Sequence, residues 1–167
     1  MTAQISETLV YEGRQLSMCT NPLSLYFALG GDGPTFQCNC TALWRGYVGT
    51  WEIVDGRLYL IDLQGTLKGG EEASVATIFP DYPDRVFAHW YSGTIRIPQG
   101  QLLNYVHMGY GSTYERDLLL EFEKGVIKGT RVRQNGHADS DSGPQGYGIA
   151  GMTVFRRSKQ DKREDAR

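Results

Sequence analysis

The sequence is short of proline and cysteine, with six and three residues among 167. Three cysteines, Cys19, Cys38 and Cys40, exclude a scaffold stapled by several disulfides and point to reduced thiols in a cytoplasmic chain. A chain of this length buries roughly 70% of its unfolded surface and folds without such staples. No apolar run approaches the ~18 residues that a membrane helix requires. The N-terminus has neither the basic start nor the apolar core of a signal peptide, so no membrane association is expected. Metal-ligand spacings are missing too: there is no His-x-His, no His-Glu-x-x-His and no Cys-x-x-Cys, so no metal and no cofactor is expected. The glycines at residues 30–33 lack the lysine and helix of a phosphate-binding loop. The run from Asp139 lacks the closing acidic ligand of a calcium loop.

Excess charge is also lacking, since the net value is −2, but the charge is unevenly placed. The last twelve residues hold six Lys/Arg and three Asp/Glu. The other 155 carry eleven basic and sixteen acidic residues, a net charge of −5. An acidic body repels phosphate backbones, so broad nucleic-acid binding is not expected. The tail at residues 158–167 has no large apolar side chain to pack and reads as a solvated, disordered terminus; residues 1–157 read as one β-rich domain.

What the chain has is aromatics and turns: ten Tyr, six Phe, three Trp and 21 Gly. Short alternating runs separated by turn signals predict an all-β fold of roughly eight to ten mostly antiparallel strands. They form a barrel or a sandwich with at most one short helix. The clearest element is a hairpin of residues 47–54 and 57–63 about Asp55-Gly56, pairing Ile53 with Leu58 and Trp51 with Leu60. A second hairpin joins residues 117–123 to 126–132 through Lys124-Gly125, setting Phe122 against Ile127 and Glu121 against Lys128. Further strands are expected at residues 7–11, 24–29, 85–91, 94–97 and 149–155, the fourth of these stopped by Pro98. The one short helix is allowed at residues 101–106. Three polar, glycine-rich loops stand between strands, at residues 30–34, 65–74 and 134–146.

Three segments gather functional side chains. Residues 105–116 place an imidazole, phenols, a carboxylate and a guanidinium around glycines that let a ligand approach the backbone. His107 would serve as the acid or base, oriented by Glu115. Tyr110 and Tyr114 would donate hydrogen bonds, with Arg116 as a cation. His89 shares a strand face with Phe87 and Tyr91. Arg45, between Trp44 and Tyr47, suits recognition of a carboxylate, phosphate or nucleotide. Each segment also has a plain reading as packing or surface. Cys38 and Cys40 fall on one face of a strand and read as small buried hydrophobes. Gly49 and Trp51 resemble the Gly-x-Trp of lipocalins in type alone; they lie a third of the way into the chain, and that family's disulfides are missing.

The absence of any catalytic motif favours a small, non-catalytic binding module. It would recognise a partner protein or a small-molecule ligand through an aromatic-rich surface or barrel mouth. The alternative is a small hydrolase or transferase acting on a phosphorylated or nucleotide substrate, with His107 and Glu115 as catalytic groups and Arg45 as the anion clamp.

Overall fold

The computed structural model describes residues 2–137. The expected strand at residues 149–155, most of the loop at 134–146 and the basic tail at 158–167 lie outside the described residues. Among the described residues eight strands form one mixed sheet that is not closed into a barrel, so the sandwich-like form of the expected all-β fold is the one that fits. They are β1 (Glu7–Tyr11), β2 (Arg14–Met18), β3 (Tyr47–Val54), β4 (Arg57–Gly65), β5 (Val86–Phe87), β6 (Gly93–Asn104), β7 (Thr113–Glu123) and β8 (Val126–Gln134). Their order across the sheet is β2-β1-β3-β4-β8-β7-β6, with β5 added beside β4. All pairings are antiparallel except β1 with β3. Among the described residues no helix is long and apolar enough to cross a membrane.

Three hairpins define the sheet, and all three turn in the same way. Glu12-Gly13, Asp55-Gly56 and Lys124-Gly125 each have positive φ at both central residues, with values of 51 and 75°, 50 and 73°, and 49 and 79°. This conformation matches the right-handed twist of the flanking strands. The Asp55-Gly56 turn pairs Ile53 with Leu58 and Trp51 with Leu60, as the alternation requires. Around Lys124-Gly125, Phe122 faces Ile127, but Glu121 faces Gly129 rather than Lys128, because a bulge follows the first pairs.

Inward positions of β1, β3, β4, β6 and β7 supply the core, with Leu9, Trp51, Leu60, Ile95 and Leu120 at no measurable exposure. The two arms of the sheet enclose it. β4 meets β8 through a single residue pair, Arg57 with Val126. At the other side the amide of Cys19, just past β2, donates to Arg96 O of β6 at 2.9 Å.

Several local expectations are corrected. Residues 24–29 are not a strand: α1 (Pro22–Ala28) occupies them. Pro22 at the first turn presets φ and sacrifices no helical hydrogen bond. The helix sends Tyr26 against Phe79 and Trp90, and Phe27 against Tyr47. A second one-turn helix, α2 (Val75–Ile78), follows Ser74, whose amide donates to the Thr77 hydroxyl at 2.9 Å. Residues 101–106 are not helical, since β6 runs through Pro98 to Asn104. Proline is tolerated there because β6 has a ladder partner on one side alone. The strand at 85–91 ends at Phe87, where the amide of His89 turns back to Phe87 O. Tyr91 is therefore buried while His89 is exposed, and the two do not share a face. Cys38 and Cys40 are exposed and lie outside any strand, so they are not buried hydrophobes.

Gly13 and Gly125 have nearly equal φ but different surroundings. A Cβ on Gly13 would meet nothing within 4 Å, whereas one on Gly125 would lie 2.5 Å from Ala88 O. Gly13→Ala is expected to lose about 1–2 kcal/mol from left-handed backbone strain alone. Gly125→Ala should lose about 1–3 kcal/mol more, because the backbone at Ala88, just past β5, must move. Urea denaturation of the two variants checks this; equal losses would contradict the packing of Lys124-Gly125 against the chain after β5.

Candidate functional site

β1 begins with a carboxylate on the face where Leu9 is core. Glu7 is 1% exposed. Its Oε1 accepts from Arg45 Nε at 3.2 Å, and its Oε2 accepts from the Trp51 indole N–H at 2.5 Å. The Gly49 amide donates to it as well. Every partner is a donor, an arrangement suited to the ionised carboxylate. Burial opposes that and is the larger effect, pushing the pKa from the ordinary 4.5 up to about 7 despite Arg45 and the three donors.

Arg45 arrives from the loop preceding β3, and its side chain is only 9% exposed. Nη2 donates to Ile5 O at 2.8 Å, and the guanidinium carbon stands 5.6 Å from the centre of the Tyr47 ring. Nη1 is buried and has no hydrogen-bond partner. Tyr47 occupies an inward position of β3, with its hydroxyl 2.6 Å from Ser24 Oγ of α1. Tyr110 reaches in from the loop between β6 and β7. Its hydroxyl lies 2.8 Å from Asn21 Oδ1 and 3.1 Å from Ile5 O, with one proton to share between these acceptors. Burial raises the pKa of both phenols, so they remain protonated. Cys19, on the same side, is likewise raised, chiefly by burial.

A second buried carboxylate positions the Tyr110 loop. Asp117 of β7 binds Arg96 Nε of β6 at 2.9 Å, Arg133 Nη2 of β8 at 2.6 Å and Asn135 Nδ2 at 3.0 Å. Its own partners shield it from water, and Arg133 is itself 56% exposed, so the group sits shallowly beneath a cover of donors. Burial would raise its pKa, but the donors from Arg133, Asn135 and Arg96 prevail and hold it below the ordinary carboxylate value. Arg96 spends its remaining donors on Tyr110 O at 2.7 Å and Ser112 O at 2.8 Å.

Of the residues singled out in the sequence, the fold brings Arg45, Tyr47 and Tyr110 into one centre. His107 is exposed, with Nδ1 2.8 Å from the Tyr105 hydroxyl. Glu115 accepts from the Gln101 amide at 3.1 Å, beside a break in the β6–β7 register. Tyr114 pairs with Leu102, and Arg116 pairs with Gln99 and Gln134. His89 is exposed, with Nδ1 3.3 Å from Phe87 O. Trp44 is 51% exposed beside Arg45. Glu7, Trp51, Asn21, Ser24, Arg96 and Asp117 carry the centre without having been singled out. The available signal was a carboxylate on the apolar side of an amphipathic strand, two residues before Leu9. Among the described residues no group of three or more His, Cys, Asp or Glu is placed to hold a metal ion. No protein-family model, curated protein or solved structure matches the chain.

Glu7 makes stability depend on pH. Its carboxyl binds a proton more tightly in the folded state, at about 7, than at the ordinary 4.5. The resulting contribution is full below about 4.5 and is lost as the pH rises through about 7, with a size of about 3 kcal/mol. Glu7→Gln removes the titration. The unfolding free energy of the wild type, measured by urea from about pH 4.5 to about pH 8, should therefore fall relative to the variant's. Parallel profiles would contradict the raised value.

Proposed function

We propose that this chain is a non-catalytic binding module that recognises a partner protein or small ligand through the aromatic-rich face at the Arg45 end of the fold. One observation carries the reading. Three large apolar side chains, Ile5, Trp44 and Met108, are 44–51% exposed on three segments that hydrogen-bond to one another. The Gln4 amide donates to Gly109 O, the Ile5 amide donates to Ala42 O, and the Trp44 amide donates to Gln4 Oε1. Neighbouring exposed apolar groups on a fixed framework are a common mark of an interaction surface, and tryptophan is the residue most often central to one. Arg45, next to Trp44 in the chain, donates to Ile5 O, and the Tyr47 ring lies beside its guanidinium. Three free cysteines support a cytoplasmic setting.

The alternative is a small hydrolase or transferase acting on a phosphorylated or nucleotide substrate. What favours it is Glu7, whose affinity for protons near neutrality suits an acid or base beside a guanidinium and a phenol. Against it, the bonds of His107 and Glu115 run to Tyr105 and to the Gln101 amide, so these two are not arranged as a proton-transfer pair.

Selection from a displayed peptide library tests the first reading, with counter-selection against a Trp44→Ala/Met108→Ala variant of unchanged melting temperature. Peptides that bind the wild type should bind the variant at least about tenfold more weakly, the loss expected for a central aromatic anchor. Recovery of no binders, or of binders indifferent to the substitutions, would contradict it. Turnover of a generic phosphoester that is abolished by Glu7→Gln would move the assignment to the alternative.

A further inference from the structure

The centre around Arg45 leaves buried donors without an acceptor among the described residues. Arg45 Nη1 carries two N–H bonds, lies buried and has no partner, while Nε and Nη2 are committed to Glu7 and Ile5 O. Ser24 and Tyr47 share one hydrogen bond at 2.6 Å, so one of their two hydroxyl protons satisfies the pair and the other is left over. The oxygens near this group are already engaged. Glu7 accepts from Arg45, Trp51 and Gly49, Ile5 O accepts from Arg45 Nη2, and the single Tyr110 hydroxyl proton is shared between Ile5 O and Asn21 Oδ1. Buried donors in native proteins are nearly always paired, and a charged one left without an acceptor is costly. The missing complement is a group bearing two acceptor oxygens.

We propose that the Arg45–Tyr47–Tyr110 centre is a binding site for a small monocarboxylate with an apolar body, its oxygens taking Arg45 Nη1 and the spare hydroxyl proton of Ser24 and Tyr47. This rests on the reading of that end of the fold as a recognition face. A single negative charge suits the site better than a phosphate dianion, because Glu7 already holds the other side of the guanidinium and repels a second anion in proportion to its charge. The apolar body of the ligand has a surface to follow, towards Ile5, Trp44 and Met108. Entry requires the segment at residues 2–5 to lift, since Ile5 O lies on the guanidinium. Its backbone amides donate to Gly109 O and Ala42 O, Ile5 O accepts from Arg45 and Tyr110, and Gln4 Oε1 accepts from the Trp44 amide, whereas the bonds from Thr2 and Gln4 to Thr41 are exposed, so opening starts from the N-terminal end of the segment. A free fatty or aromatic acid and the C-terminus of a peptide offer the same chemistry.

The Trp51 indole N–H reports on the site, because it is bonded to the carboxylate that Arg45 pairs with. Its proton NMR resonance is followed in the full chain during titration with hexanoate, acetate, inorganic phosphate and a hexanoyl-glycine peptide mimic, at constant ionic strength. A saturable shift with hexanoate, weaker with acetate and absent with phosphate, is the expected result. The double variant Ser24→Ala/Tyr47→Phe should weaken it about tenfold, the loss of one hydrogen bond to a charged group, because either hydroxyl alone would keep one proton for the ligand. Should the double variant fail to fold, the order of hexanoate, acetate and phosphate on the wild type still decides. Saturation by the peptide mimic alone assigns the carboxylate to a peptide terminus, and saturation by hexanoate assigns it to a free acid. No saturation with any carboxylate, preference for phosphate, or hexanoate binding unaffected in the double variant overturns the site. Peptide binding at Trp44 that persists in that event would leave the recognition face standing and remove this inference alone.

Discussion

The contact between Glu7 and Arg45 is the constraint on which this end of the molecule depends. A carboxylate without access to water is tolerated because three kinds of donor meet it: a guanidinium, an indole and a backbone amide. The donors come from two places, both apart from the strand that bears the carboxylate. Arg45 lies in the loop before β3, Trp51 and Gly49 lie on β3, and Glu7 itself opens β1. The parallel pairing of β1 with β3 places these groups side by side, since Leu9 is in register with Trp51. Once Arg45 is drawn inward, its second nitrogen holds Ile5 O, and the N-terminal segment is fixed across the end of the fold.

The second buried carboxylate does for the opposite arm what Glu7 does for the first. Asp117 gathers Arg96 and Arg133 from the two strands beside it, and Arg96 then holds the loop that bears Tyr110. Tyr110 is where the two systems meet: its carbonyl rests on Arg96, while its hydroxyl lies at Ile5 O and Asn21. The arms of the open sheet are thus joined at this end by polar contacts in place of a continuous strand ladder. Trp44, Ile5 and Met108 ride on the segments so fixed, which is why they are presented together although they lie far apart in the chain.

The hairpins about Asp55-Gly56 and Lys124-Gly125 were legible in the sequence because their information is local: turn residues that accept positive φ between apolar runs. The turn at Glu12-Gly13 has the same geometry, but β2 has only two apolar residues, Leu16 and Met18, and three of its five positions are exposed, too short a pattern to announce it. α1 was hidden for the opposite reason, since Leu25, Phe27 and Leu29 alternate like a strand while Pro22 and tertiary packing of Tyr26 and Phe27 favour the helix. At the site, Arg45, Tyr47 and Tyr110 were visible as residue types. Glu7 and Asp117 were not, because a carboxylate in a strand looks like a surface group until the partners that bury it are known. Those partners are 38 and 44 residues away for Glu7 and 16 and 21 for Asp117, separations that no local pattern encodes.

A double-mutant cycle on Glu7→Gln and Arg45→Met, measured as unfolding free energies near pH 8 where Glu7 is ionised, tests this account most directly. Arg45→Met strands a buried ionised carboxylate and should lose about 3–5 kcal/mol, Glu7→Gln should lose less because it also removes a charge whose burial is unfavourable at this pH, and the double should lose far less than the sum. The account predicts a coupling energy of about 2 kcal/mol or more. Losses that add to within about 0.5 kcal/mol would show two independent side chains and contradict the claim that their pairing organises this end of the fold.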